Sequence, residues 1–373
     1  MIDFRYHLVS LISVFLALAV GIALGAGPLK ESIGDTLTGQ VDQLRAEKDE
    51  LSAQVLALQA DLDQTSAALS EIGPSLVQGT LGGRRVALVV LDSVDEAVVS
   101  GVSTVIGRAG GSVTGVATVT EAWTDPTRSA FRQSLASTLL GYLAVTPPED
   151  ASVPTQLAEV LAQGLTTADP TDPDVLSADA AILLELLGGD SGLVTFGAEV
   201  RTPADVVVVL AGPVLPAGGL DQPTPAPTLD GRAAETLQPG LEDPAVGDAR
   251  VEGWLQIAIA AQRRSAGTVV VTGQLDDPGL VAQIRQDPAL AAELSTVDDL
   301  LSPAGTASVP LALANRVAGT VGHFGRGAGT TAAIPSRVAL PQVERFPAAP
   351  PDDLESPPDG TTEQDPPADG QDG

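Results

Sequence analysis

Sulfur and imidazole chemistry is almost absent from this chain of 373 residues. It has no cysteine, so disulfides, iron–sulfur clusters, thiolate metal sites and cysteine nucleophiles are excluded. Met1 is the only methionine, and His7 and His323 are the only histidines. A mechanism that needs several histidines or soft sulfur ligands is therefore excluded as well. Lysine is equally scarce, because Lys30 and Lys48 are the only two.

Aromatic residues make up only 3% of the chain, and positive charge is also in short supply. With 19 Lys and Arg against 48 Asp and Glu, the formal net charge is −29. General nucleic-acid binding is excluded, since it requires cations that displace phosphate counterions. Hydrophobic residues, at 44%, suffice for a sizeable core, which must be built from Ala, Val, Leu and Ile.

The N-terminus carries a long uncharged segment. Leu8–Leu29 spans 22 positions without a charge, and 12 of them are Leu, Ile, Val or Phe. As a helix this segment would be about 33 Å long, close to the hydrocarbon thickness of a bilayer. We predict a membrane anchor over 8–29. Ala23-Leu24-Gly25 would suit a signal peptidase, but the run is longer than a usual signal-peptide core, which favours an uncleaved anchor.

Few charges determine the orientation of this anchor. Arg5 and the N-terminal amine precede it, whereas Lys30 is followed at once by Glu31. The positive-inside rule predicts a cytoplasmic stub over 1–7 and an extracytoplasmic position for the rest of the chain. We therefore expect a single-pass protein of the cell membrane.

A stripe of small residues lies within the anchor. Ala17, Gly21 and Gly25 recur at every fourth position, a spacing that lets two membrane helices approach closely. Glycine and alanine are also common in membrane helices in general, so the stripe alone leaves dimerisation open. Gly21 and Gly25 are the candidate dimer contacts here.

A heptad repeat follows the anchor and predicts a coiled coil over 30–73. With Val41 at position a, eight of the ten a and d positions up to Ile72 are apolar. Lys48 at an a position favours a two-stranded, in-register pair at some cost in stability. Gly73-Pro74 is expected to end the helix. The candidate contacts of the resulting parallel homodimer are Val41, Leu44, Lys48, Leu51, Val55, Leu58, Leu62, Leu69 and Ile72.

Residues 82–335 are predicted to form an extracytoplasmic α/β domain. The strand predicted over Arg85–Leu91 is apolar after its first residue, as in a strand buried on both faces. Such runs alternate with helical patterns, which indicates a doubly wound, Rossmann-like or flavodoxin-like, mostly parallel sheet of four or five strands. The other predicted strands are Ser112–Thr120, Asp205–Leu210 and Thr268–Thr272, and the predicted helices are Asp95–Ala109, Ala130–Tyr142, Thr155–Gln163, Leu176–Leu187, Val246–Arg264, Leu280–Gln286 and Val309–Val321.

Two further segments differ from the rest in composition. Pro213–Pro244 is rich in proline and glycine and is predicted to be an exposed loop. From Pro347 to Gly373 there are eight acidic residues, seven prolines and no Lys or Arg. This segment cannot bury enough apolar surface to offset its ordering entropy, which predicts a disordered, acidic, proline-rich tail over 345–373.

A ligand crevice in a doubly wound sheet lies beyond the carboxyl ends of its strands. By that rule the candidate crevice residues are Asp92, Gly212, Gly273, Thr296 and Asp298. Helix capping is the simpler interpretation of the two aspartates, and we prefer it. The first strand-to-helix turn lacks a G-x-G-x-x-G motif, and the chain has no P-loop, so nucleotide sites of these kinds are not expected.

The segment Gly322–Gly327 combines glycines with His323 and Arg326. An anion or metal site is one interpretation, and a turn after the preceding helix is the simpler one. A metal site at His323 would need carboxylates, because no second His, Cys or Met lies nearby in the sequence. No Ser–His–Asp arrangement is supported either. We expect a chain without enzymatic activity and without a bound cofactor.

Four segments of the chain, together with the predicted coiled coil after the anchor, carry a family resemblance. They are Met1–Leu11 (MIDFRYHLVSL), Phe15–Gly25 (FLALAVGIALG), Ser295–Asp298 (STVD) and Gly322–Gly325 (GHFG). Together they resemble the MctB family of actinobacteria, named for mycobacterial copper transport protein B, over residues 1–335. The resemblance implies copper export, with a channel role in the outer membrane. The SteB-type relatives in the same family imply instead an envelope protein that works with a SteA-type partner in the separation of daughter cells.

The residues bear on the choice between these two roles. Copper handling favours Cys, Met or clustered His, and the part after the anchor has no Cys, no Met and one His. A membrane barrel needs strands that alternate apolar and polar residues, whereas the strands predicted here are continuous apolar runs. We therefore favour a dimeric, anchored envelope scaffold, with copper efflux or an outer-membrane channel as the alternative. A sensor whose crevice binds a small envelope ligand is a third hypothesis.

Overall fold

The structure is a computed structural model that describes residues 4–26, 28–91, 94–212, 244–273, 279–343 and 345. The chain divides into two compact units, Met1–Leu69 and Ser70–Gly373. The first unit contains α1 (Phe4–Ala26) and most of α2 (Pro28–Val77). The second unit contains the end of α2 and every strand of the sheet.

α1 confirms the prediction of an apolar helix at the N-terminus. Its stretch Phe4–Ala23 has 20 residues with a mean hydropathy of 2.1, long and apolar enough to cross a membrane, and none of it is buried within the chain. Among the described residues it is the one helix with these properties. It begins at Phe4 rather than at Leu8, and α2 begins at Pro28, where the missing N–H of proline costs no helical hydrogen bond.

α2 passes through the expected end of the coiled coil. We expected Gly73-Pro74 to stop the helix, and this was wrong, because the helix continues to Val77 with Pro74 inside it. The N–H of Gln78 donates to the carbonyl of Pro74 at 3.1 Å and closes this last turn. Val77 is fully buried in a core of the α/β domain. Burying a valine side chain contributes about 1.5–3 kcal/mol, which offsets much of the cost of an internal proline.

The described part of the second unit forms a seven-stranded sheet rather than one of four or five strands. The strands are β1 (Arg85–Leu91), β2 (Ser112–Val119), β3 (Val194–Phe196), β4 (Val206–Ala211), β5 (Thr268–Thr272), β6 (Ser295–Val297) and β7 (His323–Phe324). Their order is β3-β2-β1-β4-β5-β6-β7, and every pair is parallel except β2 with β3. The three additional strands β3, β6 and β7 have two or three residues each, too few for an apolar run of their own.

Helices cover both faces of the sheet, as a doubly wound fold requires. They are α3 (Glu96–Arg108), α4 (Ser129–Leu139), α5 (Val153–Thr166), α6 (Ala178–Gly188), α7 (Pro244–Arg264), α8 (Leu280–Gln286), α9 (Pro288–Glu293) and α10 (Pro303–Val317). Within β1, Val89 lies in the core beneath α4 to α8, whereas its neighbours Leu88 and Val90 lie in the core beneath α3 and α10. The predicted α/β class with a doubly wound, mostly parallel sheet is confirmed.

The observed helices differ from the predicted ones most clearly at α10, which we expected over Val309–Val321. It begins at Pro303, because the hydroxyl of Ser302 accepts the N–H of Gly305 at 3.0 Å and proline suits the first turn of a helix. It ends before Gly319, whose φ of +87° is incompatible with a continuing helix. The short helix α9 had no predicted counterpart.

Two of the composition-based predictions fall on residues that the structure does not describe. The predicted loop Pro213–Pro244 lies outside the described residues except for its last residue, which begins α7. Of the predicted tail over 345–373, the structure describes Arg345 alone. Its guanidinium donates to the carbonyl of Gly83 at 3.0 Å and to the carboxylate of Asp205. Arg345 thus bonds to residues that lie just before β1 and β4.

Candidate functional site

The strand order places a switch point between β1 and β4. β2 continues the sheet on one side of β1, and β5 continues it on the far side of β4. Ligands of doubly wound sheets bind beyond the carboxyl ends of the strands at such a point. Gly212 follows β4 with a φ of +86°, and Gly273 follows β5. The candidate Asp92, which follows β1, lies outside the described residues.

A buried arginine from α8 joins two of the candidates, Thr296 in β6 and Asp298 just after it. Their spacing of two residues places both side chains on the same face of an extended chain. Arg285 donates from Nε to Thr296 Oγ1 at 2.8 Å and from Nη1 to Asp298 Oδ2 at 2.6 Å. The side chains of Arg285 and Asp298 are only 5% and 2% exposed, so solvent and salt screen their attraction little.

Arg285 was not among the residues predicted for this site. The signal that points to it is the polar pair Thr296 and Asp298 within a buried strand, because a buried carboxylate needs a compensating cation. Arginine is the obvious source of that cation in a chain with only two lysines. Which arginine supplies it depends on the packing of α8 beside β6, which the sequence pattern does not show.

The carboxylate of Asp298 also holds the glycine-rich loop that follows β7. Its oxygens accept the backbone N–H groups of Arg326 at 2.7 Å and Gly327 at 2.9 Å. Gly325 permits this close approach, because its φ is +125° and a Cβ at that position would overlap Asp298 Oδ1. Three donors, including that of Arg285, therefore converge on one buried carboxylate.

Asp299 extends the network to the surface. Its φ of +59° is uncommon for a residue other than glycine. Its Oδ2 accepts from Arg326 Nε at 2.7 Å, but the Arg326 side chain is 58% exposed. Solvent screening limits such an exposed pair to about 1 kcal/mol or less, so Asp299 stabilises the loop less than Asp298 does.

His323 in β7 has both ring nitrogens within hydrogen-bond distance of protein groups. Nε2 lies 3.1 Å from the carbonyl of Ala291, which can only accept, so Nε2 carries the hydrogen. Nδ1 lies 2.9 Å from Thr296 Oγ1, and because the tautomer with hydrogen on Nε2 leaves Nδ1 without one, the threonine hydroxyl donates to Nδ1. Burial lowers the pKa of His323, the hydrogen bond to Ala291 opposes that effect, and the positive charge of Arg285 adds to it. The imidazole is therefore neutral at pH 7.

We expect the free energy of unfolding of the α/β domain to fall as the pH is lowered below about 6.5, the pKa of an unperturbed histidine, and we attribute this fall to His323. The folded pKa is lower than the unfolded one, so the unfolded chain takes up the proton first as the pH falls. This stabilisation is present above pH 6.5 and is lost below it, by at most about 1.4 kcal/mol per pH unit. Urea unfolding of the full chain at several pH values, followed by tryptophan fluorescence, measures the slope.

His323→Gln is the matched variant for this measurement, because it removes the titrating group and keeps a side chain able to form hydrogen bonds. The variant should lose the slope that begins just below about pH 6.5, while the contribution of the carboxylates at lower pH remains. Equal slopes for the two proteins would show that His323 titrates identically in the folded and unfolded chain.

The polar groups at this edge of the sheet form hydrogen bonds and an ion pair within the protein. Arg285, Thr296, Asp298 and His323 all bond to one another or to the backbone. Among the described residues, no group of three or more His, Cys, Asp or Glu side chains could hold a metal ion. The arrangement fixes the loop after β7 to the end of β6.

Two interpretations of these segments are corrected by the structure. Helix capping by Asp298 was wrong, because Ser302 caps α10 and Asp298 pairs with Arg285. The segment Gly322–Gly327 is not only a turn after α10, because it contains β7, which pairs with β6 in parallel. Both errors have the same cause, since the sixth and seventh strands are too short to be visible in the sequence pattern.

The heptad face of α2 is a second candidate surface, which we call the seam and define as the a and d positions from Val41 to Ile72. Seven of its apolar side chains are 42–63% exposed, namely Val41, Leu44, Leu51, Val55, Leu58, Leu62 and Ile72. Within the seam, Lys48 Nζ lies 3.7 Å from Asp49 Oδ1 in an exposed pair. Its neighbour Glu47 accepts from Gln43 Nε2 at 3.1 Å.

The architecture defines a class of protein with an N-terminal apolar helix, a long heptad helix and a doubly wound α/β domain. A family model described as "Copper transport outer membrane protein, MctB" matches residues 1–335. The chain belongs to the MctB family, which confirms the resemblance seen in its N-terminal motif. The match covers all three parts of the architecture and stops before the acidic tail.

Individual mycobacterial proteins are also similar to this chain over most of its length. The copper transporter MctB of Mycobacterium tuberculosis (strain ATCC 25618 / H37Rv) is 28% identical over 341 residues, covering 88% of this chain and 98% of the relative. The copper transporter MctB of Mycobacterium leprae (strain TN) is 29% identical over 347 residues, covering 89% of this chain and 98% of the relative. The protein of the same name from Mycobacterium bovis matches to the same extent as the first.

Proposed function

We propose that this chain is a non-enzymatic, membrane-anchored, dimeric envelope protein that acts as a scaffold or regulatory partner in cell separation. The observation that carries the proposal is the seam, a row of seven exposed apolar side chains on the helix that follows the apolar N-terminal segment. A second copy of the same helix would cover this row by knobs-into-holes packing. Burial of each valine, leucine or isoleucine side chain contributes about 1.5–3 kcal/mol, so a paired seam is strongly favoured over an exposed one.

The proposed topology follows from the apolar helix and its flanking charges. α1 inserts as a single uncleaved span, with residues 1–7 in the cytoplasm and the α/β domain outside. The stripe of Gly21 and Gly25 supports the pair within the lipid bilayer, since small residues at every fourth position let two helix backbones approach closely. Two features close together in the sequence would then hold the same two chains.

The scaffold role is supported by how the polar groups of the α/β domain are used. Its candidate residues Thr296 and Asp298 are engaged with Arg285 and with a loop, which suits a rigid surface rather than a reacting site. In the proposed role this domain binds an envelope or membrane protein of the SteA type, and the dimer presents two copies of the binding surface.

Copper efflux is the second candidate, and the family name carries it. The chemistry of the chain supports it less well, because copper favours sulfur and clustered imidazole ligands. The chain has no cysteine, and His323 has both ring nitrogens engaged with Thr296 and Ala291. Binding of a copper ion there would break at least one of these buried hydrogen bonds.

The test is a deletion strain examined for two phenotypes at once. Cell-associated copper is measured by elemental analysis under mild copper challenge, and cell chaining is scored by microscopy. The scaffold proposal predicts more chaining with copper equal to that of the parent. A rise in cell copper that the wild-type gene reverses would contradict the proposal and favour efflux. Unchanged chaining would contradict the role in cell separation.

A histidine-free chain is the matched complementing variant. His7→Gln with His323→Gln removes both imidazoles, and the abundance of the variant is checked by immunoblot. The proposal predicts that this variant restores cell separation as well as the wild type does. If the wild type lowers cell copper and the equally abundant variant does not, the chain handles copper through its histidines.

A further inference from the structure

We infer that Lys48 sets the register and orientation of the dimer by pairing, across the interface, with Glu47 of the partner subunit. This inference deepens the proposed dimer and rests on it. In the heptad that begins at Val41, Glu47 is at position g and Lys48 at position a. In a parallel two-stranded coiled coil, the residue at a packs beside the g residue that precedes the equivalent a position of the other chain.

Within a single chain, neither side chain is held strongly. Lys48 Nζ lies 3.7 Å from Asp49 Oδ1, and both side chains of that pair are more than three quarters exposed. Glu47 accepts one hydrogen bond, from the amide of Gln43 at 3.1 Å. Exposed contacts of this kind are weak, so both groups can turn towards a partner. A paired seam would surround them with Leu44 and Leu51 and would partly exclude water.

The position of this single charged layer determines the register. A slip by one heptad would place Lys48 against Val41 or Val55 of the other chain, without the carboxylate of Glu47 beside it. The apolar layers alone tolerate such a slip, because valine or leucine occupies the a and d positions on both sides of Lys48. One charged residue at an a position is a known means of selecting a register at a cost in stability.

The same pair selects the orientation. An antiparallel pair would also match the apolar layers, with Leu51 opposite Leu62 and Lys48 opposite Thr65, so the apolar residues do not discriminate. Glu47 and Lys48 lie beside each other across the interface in the parallel pair alone. Both chains carry the apolar helix at the same end, and a parallel pair places the two helices side by side.

The experiment uses the full chain in membranes, with a single reporter cysteine in a protein that has no other. Leu44→Cys lies at a d position, where a parallel pair forms a disulfide under mild oxidation, and an antiparallel pair would hold the two cysteines about 37 Å apart. Two versions of the chain with tags of different size are expressed together. Two wild-type versions should give homodimers and heterodimers in the statistical ratio.

The decisive mixture combines Glu47→Lys in one version with Lys48→Glu in the other. Each homodimer then opposes like charges, whereas the heterodimer restores both interchain pairs. We expect the ratio of heterodimer to homodimer to rise at least about twofold above the statistical value and to return towards it at high salt. The matched control replaces Glu47→Lys by Glu50→Lys, which makes the same charge change at the outward c position. The control keeps the contact between the two residues at position 48, so its ratio is the reference, and the decisive mixture should exceed it.

The possible results separate this inference from the proposed function. A higher ratio of heterodimer to homodimer in the decisive mixture than in the control mixture supports the pairing of Lys48 with Glu47 of the partner subunit. Equal ratios in the two mixtures, with efficient disulfide formation, overturn the pairing and leave the dimer intact. If wild-type chains with the reporter cysteine form no disulfide, the parallel dimer itself is wrong, and the inference falls with it.

Discussion

Arg285→Met should destabilise the α/β domain by about 3–5 kcal/mol, the usual cost of removing one partner of a buried ion pair. The substitution keeps an apolar stem of similar length and removes the donors to Thr296, Asp298 and the carbonyl of Phe324. The carboxylate of Asp298, only 2% exposed, would then lack a compensating cation. Urea unfolding measures the loss, with Trp123 and Trp254 as buried reporters within the domain.

Arg326→Met is the matched control, because it makes the same chemical change at an arginine whose side chain is 58% exposed. It should cost no more than about 1 kcal/mol. The double variant Arg285→Met with Asp298→Asn removes both charges and should be more stable than Arg285→Met alone. If Arg285→Met costs no more than Arg326→Met, the buried pair does not stabilise the domain as argued above.

Leu51→Asp combined with Leu58→Asp should abolish the dimer of the full chain. Both leucines lie at d positions of the seam, and each is more than 60% exposed in the single chain. Pairing would bury two copies of each leucine, at about 1.5–3 kcal/mol per side chain, and the substitutions replace that gain by four buried charges. We expect the apparent dissociation constant to rise by more than about 100-fold, measured by sedimentation of the protein in density-matched detergent.

Ala53→Asp combined with Ala60→Asp is the matched control for the seam variant. These alanines lie at the outward f positions, so the control makes the same net charge change on the same helix and has the same number of substitutions. It should remain a dimer, with helix content close to that of the wild type. A dimer that survives substitution of the seam would place the interface elsewhere, and equal losses in both variants would indicate a general effect on the helix.

The family name relates the chain to copper transporters, whereas the residue types of the chain decide which ligands it could offer to copper. Membership of the MctB family relates this chain to proteins named copper transporters. The residues that would bind copper must come from this chain, in which one histidine follows the apolar helix and is engaged at both nitrogens. The paired measurement of cell copper and cell chaining is decisive because the two proposed roles predict opposite results in it.

Several elements could be predicted from the sequence because their signals are local. The apolar helix α1 needs only a long segment without charge, and the strands β1, β4 and β5 are each centred on a run of apolar residues. The alternation of such runs with helices sufficed for the doubly wound α/β class. The end of α2 was missed, because the burial of Val77 in the domain core outweighs a local stop signal at Pro74.

The candidate site was predicted only in part. Thr296 and Asp298 were named as crevice candidates although no strand was predicted at that segment, and the structure brings them together with Arg285. Their partner, the role of Asp298 in holding the loop at Gly327, and the strand that contains His323 were not predicted. These features depend on contacts between segments that are distant along the chain and leave no periodic signal in either segment.

The sequence by itself determined the apolar helix, the heptad pattern, the fold class and the absence of sulfur chemistry, because composition and periodicity act within one stretch of chain. The tertiary structure alone decided the seven-strand order, the pairing of Arg285 with Asp298 and the lowered pKa of His323. Burial is the physical reason for this division. A charge or an imidazole acquires its partners and its pKa from whatever the fold packs around it, and that environment is assembled from many parts of the chain.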